Sequence, residues 1–368
     1  MKKNTLNTLL GIALLTGTMI GVGMFGLPYV ASQAGILLTL GYMIVLGCAV
    51  YLIHKMYGEI ILRTPGKHRF PGYMSYWLGG KIKWVTLVTS VIGFYGSLLA
   101  YIIVGGGFLA SLLNLRAPIG TLIFFIAGSC IIFFGKRSVA RMELVLVALL
   151  FILIGIFFAS SWGYIHTEHL RTDGSWDSFF LPYGIILFSF WGASIVPEIR
   201  EIVGKSFLRT LRISFILSGV LYALFTILIL GVSGSGTTTD ALTGLPAILG
   251  KGIFTVGLCF GLFAMFTSYI SLGLTLRSIF AYDYGIPALL AFFLTVTVPL
   301  TLYAAGFDQF IRVISFVGAI ALGIEGVLLL MAYSKSSPNR GRIWAYGIGG
   351  LFVAGVMLEF YYFFHTIL

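Results

Sequence analysis

Apolar residues gather into long unbroken stretches along this chain, and polar residues into short joints between them. Eleven stretches stand out, at 7–33, 35–56, 84–113, 118–134, 142–162, 178–199, 211–232, 252–280, 287–305, 310–333 and 343–368. A helix needs about 20 apolar residues to cross the hydrocarbon core of a bilayer, and each stretch is of that order. None alternates apolar and polar positions, which excludes a β-barrel. The pattern predicts an all-α polytopic membrane protein with about 11 transmembrane helices in a single domain over residues 1–368. The first stretch follows Lys2 and Lys3 like the start of a signal peptide, but it continues to Gln33 and more spans follow, so it reads as a retained helix.

Composition agrees. Apolar residues make up 59% of the chain and charged residues 10%, whereas a soluble domain carries about 25% charged residues. The net charge of +11 raises nucleic acid as a partner, and its distribution removes it. With the N-terminus in the cytoplasm, only Arg116, Arg171, Lys251 and Arg312 of the 23 Lys and Arg fall in outer loops. The rest, among them Lys55, Arg63, Lys67, Arg69, Lys136, Arg137, Arg141, Arg200, Lys205, Arg277, Arg340 and Arg342, fall inside, as the positive-inside rule requires. The implied setting is the cytoplasmic membrane, with the C-terminus outside and lipid as the surrounding partner. Trp84, Trp162, Trp176 and Trp344 fall at span ends as an aromatic belt, while Trp191 is mid-span. The inner joint from 63 to 83 reads equally as a short amphipathic helix or a solvated basic linker. Cys48, Cys130 and Cys259 lie far apart in apolar runs and suit packing rather than a disulfide or zinc site.

Two spans carry breaks. The first holds Gly17, Gly21, Gly23, Gly26 and Pro28; the sixth holds Ser189, Gly192, Ala193, Ser194 and Pro197. Glycine and proline weaken a helix at mid-depth. The breaks are five spans apart, so their helices run in opposite directions. That spacing fits an inverted repeat, about 5–162 and 176–334, with 343–368 as an additional helix. Free amides at such a break attract a carboxylate and free carbonyls attract an ammonium or a metal cation, so a zwitterion can bind without a charged side chain. Gly17 and Gly21 also form a small-xxx-small pair, which elsewhere marks plain helix packing. The match of Gly21, Gly23 and Gly26 to a dinucleotide fingerprint is spurious, since no strand precedes it.

At residues 17–28, at 187–198 with Gly192-Ala193-Ser194 before Pro197-Glu198, and at Thr267-Ser268-Tyr269-Ile270-Ser271-Leu272-Gly273-Leu274, the chain resembles the amino acid–polyamine–organocation superfamily, which has the leucine-transporter fold. Within it the chain is most similar to the amino acid/auxin permease group, bacterial aromatic amino acid permeases above all. The resemblance implies a secondary active transporter working by alternating access, with substrate between spans one, three, six and eight. It implies substrate contacts from Thr18, Gly21, Val22, Gly23, Met24 and Phe25 in span one and from Phe188, Ser189, Phe190, Trp191, Gly192 and Ser194 in span six. Span three offers Tyr101 for the substrate carboxylate, with Tyr95 the alternative.

No charge lies in either break, so a neutral amino acid is expected, and Phe188, Phe190, Trp191 and Tyr101 favour a bulky or aromatic one. A monoamine or divalent-metal carrier would place an acid in the first break, and none is there. The resemblance also implies a sodium-type site from the carbonyls of Gly17, Ile20 and Ala264 and the hydroxyls of Thr267 and Ser268. Three and four residues apart on a helix share one face, so the span-eight oxygens can converge. Uncharged oxygens suit a monovalent ion better than magnesium or calcium. The other reading of Thr267 and Ser268 is hydrogen bonding back along their own helix. Proton coupling is the rival. Some proton-coupled relatives place a lysine from span five in this site, and 144–162 has none, which leaves Glu325 of span ten as the intramembrane acid. His54 and Glu59 lie at the inner end of span two, and Glu198 and Glu201 at that of span six, where pairing with Arg63 or Arg200 is one option. His166 and His169 have nothing nearby to complete a metal site. No enzyme motif and no cofactor other than Na+ or H+ is indicated. A channel-like pore and a transporter-like amino acid sensor remain the alternatives; oligomeric state is not encoded in any motif.

Overall fold

A computed structural model describes residues 2–134, 136–171, 174–175, 178–337 and 342–367. Trp176 and Arg340 lie outside the described residues, as do the side chains of Lys136, Arg137, Arg141, Arg342 and Trp344. The described chain is helical throughout and contains no strand.

Span one is split into α1 (Lys2–Met19) and α2 (Gly23–Ala34), and span two is α3 (Ile36–Arg63). A short α4 (Phe70–Leu78) precedes α5 (Ile82–Leu113), α6 (Ala117–Phe134) and α7 (Lys136–Ser161), which are spans three to five. Span six is split into α8 (Leu181–Phe190) and α9 (Val196–Val203), followed by α10 (Phe207–Ser233), α11 (Pro246–Ser278) and α12 (Ala288–Ala304). Span ten is α13 (Phe310–Phe316), a π-helical stretch Val317–Leu322 and α14 (Gly323–Ser336); α15 (Arg342–Ile367) is the last. Six helical segments are long and apolar enough to cross a bilayer, one of them, Leu181–Gly236, holding two spans. The bent pair α1 and α2 adds another, and α7, α12 and α15 carry shorter apolar stretches. Each of the eleven runs thus becomes a helix or a broken helix.

Leu37, Ile44, Phe134 and Ile216 stay exposed on the outside of the bundle, which costs nothing where the solvent is lipid. Trp84 and Trp162 are exposed at the ends of their helices, the position of an interfacial belt. The joint at 63–83 forms α4, whose Phe70, Pro71, Tyr73 and Met74 are buried against α5 and α14. It is therefore a plug inside the basic end of the bundle rather than a helix lying on the membrane or a solvated linker. Trp77 Nε1 fixes its far end by donating to Thr64 Oγ1 at 2.8 Å.

Both breaks fall where glycine and proline predict. α1 and α2 meet at 53° across Ile20, Gly21 and Val22. Pro28 lies inside α2, where it supplies no N–H to the turn before it. α8 stops at Phe190, and Pro197 sits in the first turn of α9, the helix position it tolerates best. The π-helical stretch in span ten leaves no mark that apolar periodicity would reveal, and such bulges often sit at functional sites.

Candidate functional site

The two breaks face one cavity. Its walls include Thr18, Gly21 and Gly23 of span one, Phe188, Ser189, Trp191 and Ser194 of span six, and Tyr101 of span three. The glycines at the first break are required by close approach. A Cβ on Gly21 would collide with the Tyr101 hydroxyl, and one on Gly23 would lie 2.9 Å from both Ser189 Cα and Phe188 Cδ1. These glycines therefore bring spans three and six directly onto the backbone of span one.

Tyr101 reaches the break. Its hydroxyl oxygen faces the Val22 N–H and Ser268 Oγ. Tyr95 turns away and donates to Leu294 O on α12 at 2.9 Å. The lining of span three extends below Tyr101 through Ser90, Gly93, Phe94 and Ser97. Their spacing of three, four and seven residues puts them on one helix face, two serines with a glycine and a phenylalanine between them, which the sequence displays and periodicity could have assigned.

Several residues expected at the site stand elsewhere. Phe190 is buried against Phe215 and Tyr222, ring centroids 6.1 and 5.1 Å away. Phe25 sits in an aromatic cluster with Phe108, Phe225 and Phe260 at 5.3–5.5 Å. Met24 is buried and, like Val22 and Gly192, is not part of the cavity wall. The Val22 N–H faces the Tyr101 hydroxyl instead.

The Gly192 N–H has a partner that sequence reading missed. It donates to His54 Nε2 at 3.1 Å. That bond makes Nε2 an acceptor, so Nδ1 carries the proton and donates to Val50 O at 2.9 Å. His54 is thus fully buried and neutral, with Trp191 edge-on at 5.5 Å.

Glu325 also lines the cavity. Its Oε1 accepts from Ser90 Oγ at 2.7 Å, and the Trp191 indole N–H faces the same carboxyl group. Gly17 and Ile20 are buried on α1 and at its end, and Ala264, Thr267 and Ser268 form one buried face of α11, which packs against α1. Thr267 Oγ1 donates back to Phe263 O at 3.0 Å and Ala264 O at 3.1 Å. Such a bond gives the hydroxyl proton a home and leaves oxygen lone pairs free to meet a cation. Ser268 Oγ is buried with no hydrogen bond of good geometry.

The basic end of the cavity is crossed by ion pairs. Arg69 pairs with Glu198, Lys67 with Glu201 at 2.7 Å, and Arg63 with Glu59 at 3.3 Å. The partners of Glu198 and Glu201 are therefore Arg69 and Lys67 ahead of α4, not Arg63 or Arg200. Burial raises the Tyr73 hydroxyl above its usual value at this end. At the opposite end the backbone N–H of His166 and the ring Nδ1 of His169 both bond to Gly231 O, so the His169 imidazole has a structural use. Among the described residues no cluster of His, Cys, Asp and Glu could hold a metal ion.

A leucine-transporter arrangement is reproduced in solved structures. The crystal structure of MhsT in complex with L-phenylalanine superposes with a TM-score of 0.73 over 96% of this chain and 97% of that one, at 15% sequence identity. It is one of 144 matching chains. No curated protein sequence matches the chain. The tryptophan/tyrosine permease family matches residues 4–367. The broken helices, their shared cavity and this match over almost the whole chain lead to one conclusion: the protein belongs to the tryptophan/tyrosine permease family and is an integral membrane amino acid permease, not an enzyme.

Proposed function

We propose that the cavity between the two breaks binds a neutral aromatic amino acid and passes it through the bilayer by alternating access. The observation that carries this reading is the convergence of Gly21, Gly23, Tyr101, Phe188 and Trp191 on one space. Tyr101 has a hydroxyl proton to give to a carboxylate, and Phe188 and Trp191 supply apolar, aromatic walls for the side chain. Thr18, Ser189 and Ser194 complete the polar rim. The bound L-phenylalanine of MhsT supports a substrate of this class. The repeats 5–162 and 176–334 supply the two opposed halves, with 343–368 outside them, and the basic end faces the cytoplasm of a cell whose plasma membrane holds the protein.

The coupling ion in this reading is Na+, held by Gly17, Ile20 and Ala264 carbonyls with Thr267 and Ser268. The buried Ser268 Oγ beside the Tyr101 hydroxyl and the free lone pairs of Thr267 fit a weakly bound monovalent cation. Proton coupling through Glu325 is the second reading, favoured by the place of that carboxyl group beside Trp191 and Ser90 in the cavity wall. Uptake into proteoliposomes separates the two. The first reading expects uptake driven by a Na+ gradient at fixed pH and lost in Thr267→Ala. Full uptake in sodium-free buffer, driven by acid outside and lost in Glu325→Gln, overturns it.

A further inference from the structure

Span seven contributes nothing to the cavity wall among the described residues, yet one of its side chains touches the backbone of both broken helices. Tyr222 of α10 is fully buried. Its hydroxyl oxygen lies 2.6 Å from Met19 O and 2.8 Å from Ser189 O. Met19 is the last residue of α1, and Ser189 is one residue short of the end of α8. Both residues line the cavity; Tyr222 stands behind it.

The electrostatics of this point are specific. Two helix C-termini converge, each equivalent to roughly half a negative charge; Met19 O also accepts from the Gly21 N–H at 2.8 Å, which leaves it a second lone pair for the hydroxyl. Left alone, two such ends repel. A single hydroxyl proton between them relieves that repulsion from a fixed position on a third helix. A tyrosine hydroxyl has one proton and two acceptors here, so the bond is shared, and loosening either carbonyl strengthens its hold on the other. The ring packs edge-on against Phe190 of α8 at 5.1 Å, and from there the hydroxyl reaches across to Met19 of α1.

We infer that Tyr222 is a positioning residue for the substrate site: its hydroxyl ties the C-terminal carbonyls of α1 and α8 together and so sets the width of the gap that receives the amino and carboxyl groups of the transported amino acid. The inference rests on the reading of the cavity as that site. Because the tie acts on the end common to all amino acids, its loss is felt equally by substrates with different side chains. That separates it from Trp191, which meets the side chain.

The test is uptake of labelled L-tryptophan and L-phenylalanine by the full chain in proteoliposomes. Tyr222→Phe removes only the hydroxyl. Its KM is expected to rise about tenfold or more, by the same factor for both substrates, with the maximal rate per folded transporter within twofold. An unchanged KM with a lowered maximal rate, as a merely structural role would give, overturns the inference. So does a KM change that differs between the two substrates. Should Tyr222→Phe not accumulate as a monodisperse protein, p-aminophenylalanine in place of Tyr222 keeps an N–H donor at the same para position. That protein should then fold with a KM within about threefold of wild type, and a folded p-aminophenylalanine form with a tenfold rise overturns the inference. Trp191→Ala in the same assay reads the site itself. If it leaves both substrates unaffected, the site reading fails whatever Tyr222→Phe does; if it discriminates between them while Tyr222→Phe keeps its KM, only the tie fails.

Discussion

Adding one methyl group at Gly23 tests whether the two broken helices meet as closely as the structure has them. A Cβ there would sit 2.5 Å from Ser189 Oγ and 2.9 Å from both Ser189 Cα and Phe188 Cδ1. Carbon atoms pack at about 3.5–4.0 Å, so the overlap is roughly 0.6–1 Å. The Ser189 hydroxyl can rotate away, but its Cα cannot, so α2 and α8 must separate. Overpacking of this kind costs about 1–3 kcal/mol. If the cost falls on the substrate-binding conformation, affinity drops about 5- to 150-fold, at 1.4 kcal/mol per tenfold. Gly155→Ala is the control: that glycine is exposed on α7 with no atom near its added Cβ, and alanine is the better helix former. Substrate binding to the purified protein, measured by scintillation proximity or calorimetry, should fall for Gly23→Ala and hold for Gly155→Ala. Wild-type affinity in a folded Gly23→Ala would refute the close approach of spans one and six.

Three further outcomes follow from the same geometry. His54→Ala orphans the Gly192 N–H, which costs about 1–3 kcal/mol before any cavity term, and should lower the unfolding temperature; His54→Gln, which keeps an acceptor, should recover part of it, and equal loss in both would sink the capping role. Arg69→Glu sets like charges against each other at a partly exposed pair, side chains 21% and 31% exposed, and a loss of about 1–2 kcal/mol is expected between the exposed and buried limits; transport should return in Arg69→Glu with Glu198→Arg, and no recovery in the swap would show that the pair does not hold this end. Cysteine placed at 171 should be labelled by a membrane-impermeant reagent from outside intact cells and cysteine at 338 should not, the reverse pattern inverting the topology.

Apolar run length made all eleven spans legible, and Gly17, Gly21, Gly23, Pro28, Gly192 and Pro197 marked both breaks. Those signals are local. The contacts that shape the site are not: His54 meets Gly192, Glu325 meets Ser90 and Tyr222 meets Met19 across more than a hundred residues each. No spacing within one helix encodes such pairs. Some of what sequence reading missed was nonetheless present in the helical period. Phe188 and Trp191 are three residues apart and share a face, while Phe190 is turned about 200° from Phe188 and so packs on spans two and seven. The same period separates Tyr101 from Tyr95, which is six residues and about 120° away around the helix. The burial of α4 was hidden for another reason. Its flanking lysines and arginines suggest a solvated joint, but Arg69 and Lys67 reach to Glu198 and Glu201 while Phe70, Tyr73 and Met74 go inward.

The central claim is that an aromatic amino acid binds between the two breaks with its side chain against Trp191, and uptake of labelled L-tryptophan and L-alanine by wild type and Trp191→Ala in proteoliposomes tests it most directly. Saturable, gradient-driven uptake is expected of the wild type and, in the variant, a larger loss for L-tryptophan than for L-alanine. Equal loss of both in a folded variant contradicts it, as does unsaturable flux or binding without flux in the wild type.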